Sequence, residues 1–263
     1  MYLTRFRVNT ARPGARRLLS SPQSLHAAVM ASFPGLLPTS GTEAGPRVLW
    51  RLDHNARAEV LLYVVSPGRP DLTHLVEQAG WPAAALAPAT PGWESRPYAP
   101  LLDRLTPGGL WEFRLTANPV HHIRRKDGEP TKRTAHITPV HQRGWLLDPE
   151  RQERAGFRVV EKPQTQRLLP GGTTHKNHPH HGDRYELAVR DERALSFNKS
   201  RDSRSAHQVK VVTVTFDGRL EVTDPEALRR TLTQGLGRAK AYGCGLMTLA
   251  PVQTSPRVRG EDR

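Results

Sequence analysis

The chain has 263 residues, with 39 Lys and Arg against 25 Asp and Glu and a formal net charge of +14 at neutral pH. That length allows one large domain or two small ones, each with a core of its own, and the charge excess implies a polyanionic partner, since folding does not require it. A single cysteine, Cys244, excludes an internal disulfide and suits a reducing cytoplasm, and no apolar run approaches the ~18 residues of a membrane span.

The chain opens with MYLTRFRVNT, whose apolar-polar alternation predicts a strand from Tyr2 to Asn9. Positive charge is concentrated here: Arg5, Arg7, Arg12, Arg16 and Arg17 precede the first acidic residue, Glu43. A helix begins near Pro22 with Ser21 before it, and Leu25, Ala28, Val29 and Phe33 give it a buried stripe. VLWRLDH and AEVLLYVVS read as two strands joined by a tight turn at Asn55. A short helix, LTHLVEQAG, and a fourth strand, WESRPYA, complete a β-α-β-β-α-β order. The proline-rich stretch that follows reads as a linker ending at TPGG.

The second half repeats that order. LWEFRLTANPV is its first strand, HHIRRKDGEPTKR a basic loop, Val140 to Ala155 a helical stretch and FRVVEK a strand. From Pro163 to His207 runs a polar insertion, longer than ordinary connections, expected to hold an extended basic hairpin; from Arg158 to Lys210 there are eleven Lys or Arg against six Asp or Glu. VKVVTVTFDGRLEV is the next strand, and DPEALRRTLTQ the next helix, capped by Asp224 with Pro225 in its first turn. LMTLAPV is the last strand. The fold class expected is α+β: two tandem ferredoxin-like, RRM-like domains with a basic cleft between them. Their limits are 1–99, a linker at 100–108, 109–251, and a flexible tail at 252–263.

Between the last helix and the last strand lies QGLGRAKAYGCG. A dinucleotide fingerprint needs the opposite order, strand before loop and helix after it, which disfavours a nucleotide cofactor and leaves two readings. One is a phosphate-facing loop in which Gly235, Gly237, Gly243 and Gly245 let the backbone approach a nucleic acid while Arg238 and Lys240 neutralise it. The other is a helix cap followed by a turn, which accounts for Gly235 alone. Aromatic residues make up only 6% of the chain, and neither half carries the aromatic signature of an RNA-recognition sheet. Recognition of a structured RNA by shape and charge fits better than base stacking.

The opening MYLTRFRVN, the segment SPQSLHAAVMASFP, RLTANPV, AGFRV and the block LEVTDPEALRRTLTQGLGRAKAYGCGLMTLAPV together resemble the CRISPR RNA-processing endoribonucleases of the CasE type, over nearly the whole chain. The resemblance implies tandem ferredoxin-like domains, metal-free cleavage of precursor RNA on the 3′ side of the repeat hairpin, and retention of that hairpin inside a Cascade complex. The partners implied are therefore repeat RNA and other Cascade subunits, with no cofactor and no membrane.

It also implies a catalytic histidine at His26, preceded in the family by a tyrosine three residues earlier where this chain has Gln23. Glutamine exchanges no proton at neutral pH, so the second catalytic group is open. Metal-free cleavage uses the substrate 2′-hydroxyl as nucleophile and needs an acid, a base and positive charge; His26 suits either proton-transfer role, its ordinary pKa being ~6.5. Gln23, by a hydrogen bond to the phosphate, and Lys132, Arg133 and Tyr242 are candidates for catalytic support. Arg158, Lys162, Arg167, Lys199 and Arg201, in and beside the insertion, join the glycine-rich loop as candidates for RNA binding. A rival feature is HKNHPHHGD, where His175, His178, His180 and His181 crowd together. Without cysteine or fixed elements it reads as a polar loop tip ahead of a metal site. Two other functions remain open at this point, an RNA-holding scaffold with weak activity and a metal-dependent nuclease.

Overall fold

The computed structural model describes residues 1–33, 47–56, 59–82, 92–123, 131–169, 171–173, 179–198 and 208–252. The first unit runs β1 (Tyr2–Val8), α1 (Pro13–Leu19), α2 (Pro22–Ala31), β2 (Leu49–Ala56), β3 (Glu59–Ser66), α3 (Thr73–Ala79) and β4 (Trp93–Pro97). Its sheet has the order β2-β3-β1-β4, antiparallel throughout, which is the ferredoxin-like arrangement. Alternation explains it. Thr4, Phe6 and Val8 of β1 are buried, and Arg5 and Arg7 between them are exposed. Phe6 and Val8 share a core with Ala15, Leu18, Leu25, Val29 and Trp50.

A short helix, α4 (Ala99–Leu102), leads to the second unit: β5 (Leu110–Ala117), β6 (Val120–Ile123), β7 (Lys132–Ala135), α5 (Pro139–Leu146), α6 (Pro149–Ala155), β8 (Phe157–Val159), β9 (Gly172–Thr173), β10 (Pro179–His180), β11 (Leu187–Asn198), β12 (Gln208–Val222), α7 (Pro225–Gln234) and β13 (Met247–Pro251). Its main sheet is ordered β11-β12-β5-β13, and β8 also pairs with β12. Strand two of a ferredoxin-like unit is thus split. β8 takes the Leu220 to Val222 end of β12, and β11 takes the stretch from Gln208 to Gly218.

Several expectations change. Asn55 is not the hairpin turn: it lies within β2 at a register irregularity between His54 and Ala56, and β3 resumes at Glu59. Residues 187–198, expected inside an irregular insertion, form a twelve-residue edge strand of the main sheet. The single helical stretch from Val140 is two helices, because Asp148 caps a new one at Pro149 through the amide of Arg151. Leu105 of the linker and the preceding Tyr98 are fully buried in a core that joins Leu49 and Val65 of the first unit to Leu115 and Met247 of the second. The tail from residue 253 onward lies outside the described residues.

The two open sheet faces meet across this joint. Arg51 of β2, 1% exposed, forms a bidentate pair with Asp53 at 2.6 and 2.8 Å. It then crosses the interface, donating to the carbonyls of Arg114 (2.7 Å) and Leu246 (3.0 Å) and to the Thr248 hydroxyl (2.8 Å). Asp53 also meets Arg114 at 3.4 Å; Arg114 holds Asp217 at 2.6 Å, and Arg190 pairs with the other oxygen of Asp217. The joint is thus rich in arginine, with these guanidinium groups already committed to aspartates.

A buried charge that loses its partner is costly, whereas a matched apolar replacement of a whole pair is close to neutral. Arg51→Met is expected to destabilise the protein by about 3–5 kcal/mol, measured by urea unfolding, because Asp53 keeps its burial and loses its bidentate partner. Arg51→Met combined with Asp53→Leu should recover most of that loss; a double variant as unstable as the single one would mean that the interface bonds outweigh the ion pair.

Candidate RNA-cleavage site

Ser21 caps α2 by accepting from the amide of Ser24, and Pro22 sets the first turn. Leu25, Val29 and Phe33 are buried as the spacing requires. His26, half-buried at the edge of that stripe, meets Trp50: the indole N–H donates to His26 Nδ1 at 3.3 Å. Burial holds the imidazole pKa below its ordinary value. Gln23, one turn earlier, is exposed.

The glycine-rich loop comes to the same place from the second unit. Its short 3-10 turn, Lys240–Tyr242, packs on α2 and β2. Gly235, Gly237, Gly243 and Gly245 all have φ between +79° and +89°, where a side chain is strained. Each is also pressed against protein. A Cβ on Gly243 would lie 2.6 Å from the Trp50 ring, and one on Gly235 would lie 2.9 Å from Leu49. Protein packing thus accounts for all four glycines, including the three that a helix cap alone does not explain. Arg238 is exposed; Lys240 is half-buried, and burial together with Arg47 lowers its ammonium pKa. Tyr242 rests edge-on against Phe197 of β11, with ring centroids 4.7 Å apart.

Behind this cluster, between the units, is a cavity of about 100 Å³ bounded by Pro22, Trp50, His54, Arg193, Tyr242 and Gly243. Arg193 reaches across to His54 at 3.0 Å, and burial and then that guanidinium lower the His54 pKa. His26, Trp50, Lys240, Tyr242 and Gly243 are therefore assembled from opposite halves of the chain.

Other candidates lie elsewhere. Lys132 and Arg133 are exposed on the β6-β7 ribbon, whose strands pair only with each other among the described residues. Arg158 pairs with Glu221 at 2.9 Å, Lys162 with Asp183 at 3.4 Å and Arg167 with Glu161 at 3.0 Å. Lys199 and Arg201 lie outside the described residues, as do His175 and His178 and the side chain of His180. His181 packs edge-on to Tyr185. Among the described residues no group of three or more His, Cys, Asp or Glu is placed to hold a metal ion. Burial pushes the Cys244 thiol up to about 12, which removes it as a nucleophile. Trp50 went unnoticed in the sequence, where it is one apolar residue of a strand; only the pairing of β2 under α2 reveals it.

Comparison with known proteins places the chain in a family. A family model described as CRISPR associated protein matches residues 1–251. The chain is 31% identical over 254 residues to the CRISPR-associated endoribonuclease Cse3 of Thermus thermophilus, covering 95% of this chain and 100% of that one. Over 43 residues it is 49% identical to the CRISPR system Cascade subunit CasE of Escherichia coli, a match spanning 16% of this chain and 22% of that protein. A solved structure of the endoribonuclease Cse3 bound to a 19-nucleotide RNA superposes with a TM-score of 0.69 at 30% identity, covering 95% of this chain and all of the other.

Because a methyl group on Gly243 would meet the Trp50 ring at a backbone conformation that already disfavours it, Gly243→Ala should cost about 1–3 kcal/mol. It should also displace the indole. Thermal unfolding and the near-ultraviolet circular dichroism of the tryptophans check this; an unchanged spectrum with unchanged stability would show that the loop yields freely.

Proposed function

Since the chain belongs to the family of CRISPR-associated proteins, we propose that it is an endoribonuclease that binds the stem-loop of CRISPR repeat RNA and cuts the precursor at the 3′ base of the hairpin. The mature guide RNA then stays bound, and the protein acts as a cytoplasmic subunit of a Cascade complex. The observation that carries this reading is the whole-length likeness to a structure holding RNA, combined with the packing of the Lys240–Tyr242 turn of one unit on the helix that bears His26 in the other.

Cleavage on this reading is metal-independent. The 2′-oxygen 5′ to the scissile bond loses its proton and attacks phosphorus, forming the O2′–P bond as the P–O5′ bond breaks. The products are a 2′,3′-cyclic phosphate and a 5′-hydroxyl that receives a proton. His26 is the residue at the scissile phosphate. Lys240 and Arg238 supply positive charge to the phosphorane, and Tyr242 stands as a supporting group. The hairpin's remaining phosphates meet exposed cations: Arg238, Lys132 and Arg133, with Lys199 and Arg201 among the proposed contacts. Arg158, Lys162 and Arg167 join them by exchanging their carboxylate partners for phosphate, an exchange that costs least for Arg158, the most exposed of the three.

His26→Ala is expected to slow single-turnover cleavage by at least ~10²-fold with hairpin affinity little changed. A 2′-deoxy nucleotide 5′ to the scissile phosphate should abolish cleavage in the presence of EDTA and in its absence, leaving binding intact. Cleavage of the deoxy substrate at that bond would mean that water is the nucleophile. A wild-type protein that binds the hairpin and leaves it uncut would identify a scaffold subunit, consistent with Gln23 where the family often has tyrosine.

A further inference from the structure

An indole N–H is a donor and never an acceptor. Trp50 points that group at His26 Nδ1 from 3.3 Å, so Nδ1 must be the unprotonated nitrogen of the ring. The neutral imidazole then carries its one proton on Nε2. The other neutral tautomer, and the imidazolium, would set N–H against N–H. The arrangement has little freedom to relax. Trp50 is 2% exposed in the core of the first unit, and Gly243 presses against its ring from the second, at a distance that admits no Cβ.

We infer that Trp50 is a positioning residue that fixes His26 as the Nε2–H tautomer, with the Gly243 turn locking the indole in place. The inference rests on His26 being the residue at the scissile phosphate, and it decides between the two parts an imidazole plays. A base needs a lone pair facing the substrate, and the lone pair of this ring is occupied by Trp50. Nε2–H is a donor. His26 therefore contributes a hydrogen bond to the phosphate oxygens as negative charge builds in the phosphorane, while the 2′-hydroxyl proton passes to solvent water and O5′ takes its proton from solvent in turn. The turn also makes this state conditional on the joint: the indole keeps its aim only while the two units are docked.

The test combines spectroscopy and kinetics on the full-length chain. In protein labelled with 15N at histidine, the His26 resonances are expected to report a proton on Nε2 and an acceptor-type Nδ1; a proton on Nδ1 overturns the inference without any mutation. Trp50→Phe keeps an aromatic ring and deletes the donor. It should mix the tautomers and, by removing a donor that favours the neutral ring while leaving its burial in place, raise the His26 pKa and shift the pH dependence of single-turnover cleavage to higher pH. The rate at neutral pH should fall by about tenfold, with the affinity for uncut 2′-deoxy hairpin RNA unchanged. A Trp50→Phe protein with the wild-type rate and pH profile, alongside an inactive His26→Ala, removes Trp50 and leaves His26 standing. An active His26→Ala removes both.

Discussion

Everything in this molecule depends on how Arg51 is satisfied. A guanidinium sealed from solvent needs an acceptor for nearly every N–H. Asp53 alone would suffice for two of them. The remaining contacts come from the other unit, from the carbonyls of Arg114 and Leu246 and the hydroxyl of Thr248. An arginine of one sheet thus finds its full complement only when the second sheet is docked at one position. Burial of Leu49, Val65 and Leu105 supplies the attraction, which is non-directional, and the arginine supplies the register.

That register is what assembles the site. α2 carries His26 because its cap and stripe set the helix on the first sheet. The glycine-rich turn reaches His26 because α7 and β13 place it at the edge of the second. Neither unit has the site by itself. Their contact nearest His26 is a glycine against an indole, and a shift of even an ångström would open it or cause a clash. The charged chain from Arg51 through Asp53, Arg114 and Asp217 to Arg190 runs directly beneath, which explains why cleft arginines are paired internally.

Much of this was legible in the sequence. The alternation in MYLTRFRV, the capped stripe of α2 and the Asp224-Pro225 start of α7 each rest on local rules, and local rules read well from a single chain. β11 was hidden for the converse reason. Its residues Arg190, Asp191, Glu192 and Arg193 look like a solvated loop because all four are charged and a register irregularity falls among them, and its hydrogen-bond partner lies beyond residue 207. Arg51 and Trp50 were invisible for a related reason. In VLWRLDH they are an ordinary polar-apolar alternation, and only long-range docking turns one into the keystone of the joint and the other into the partner of His26. The glycines sent a clear signal with two explanations, and packing against Trp50, Leu49 and Trp145 accounts for their requirement.

Cys244 sits between Gly243, which touches the first unit, and Gly245, whose amide donates to the carbonyl of Thr116 in the second. It is fully enclosed and it is the only thiol in the chain. A reagent that modifies sulfur can reach it only when the glycine-rich turn that encloses it opens, so the rate of its modification is a clock for that opening. The protein carries a native, single-atom gauge of how often the turn beside Trp50 opens, and no label has to be engineered to use it.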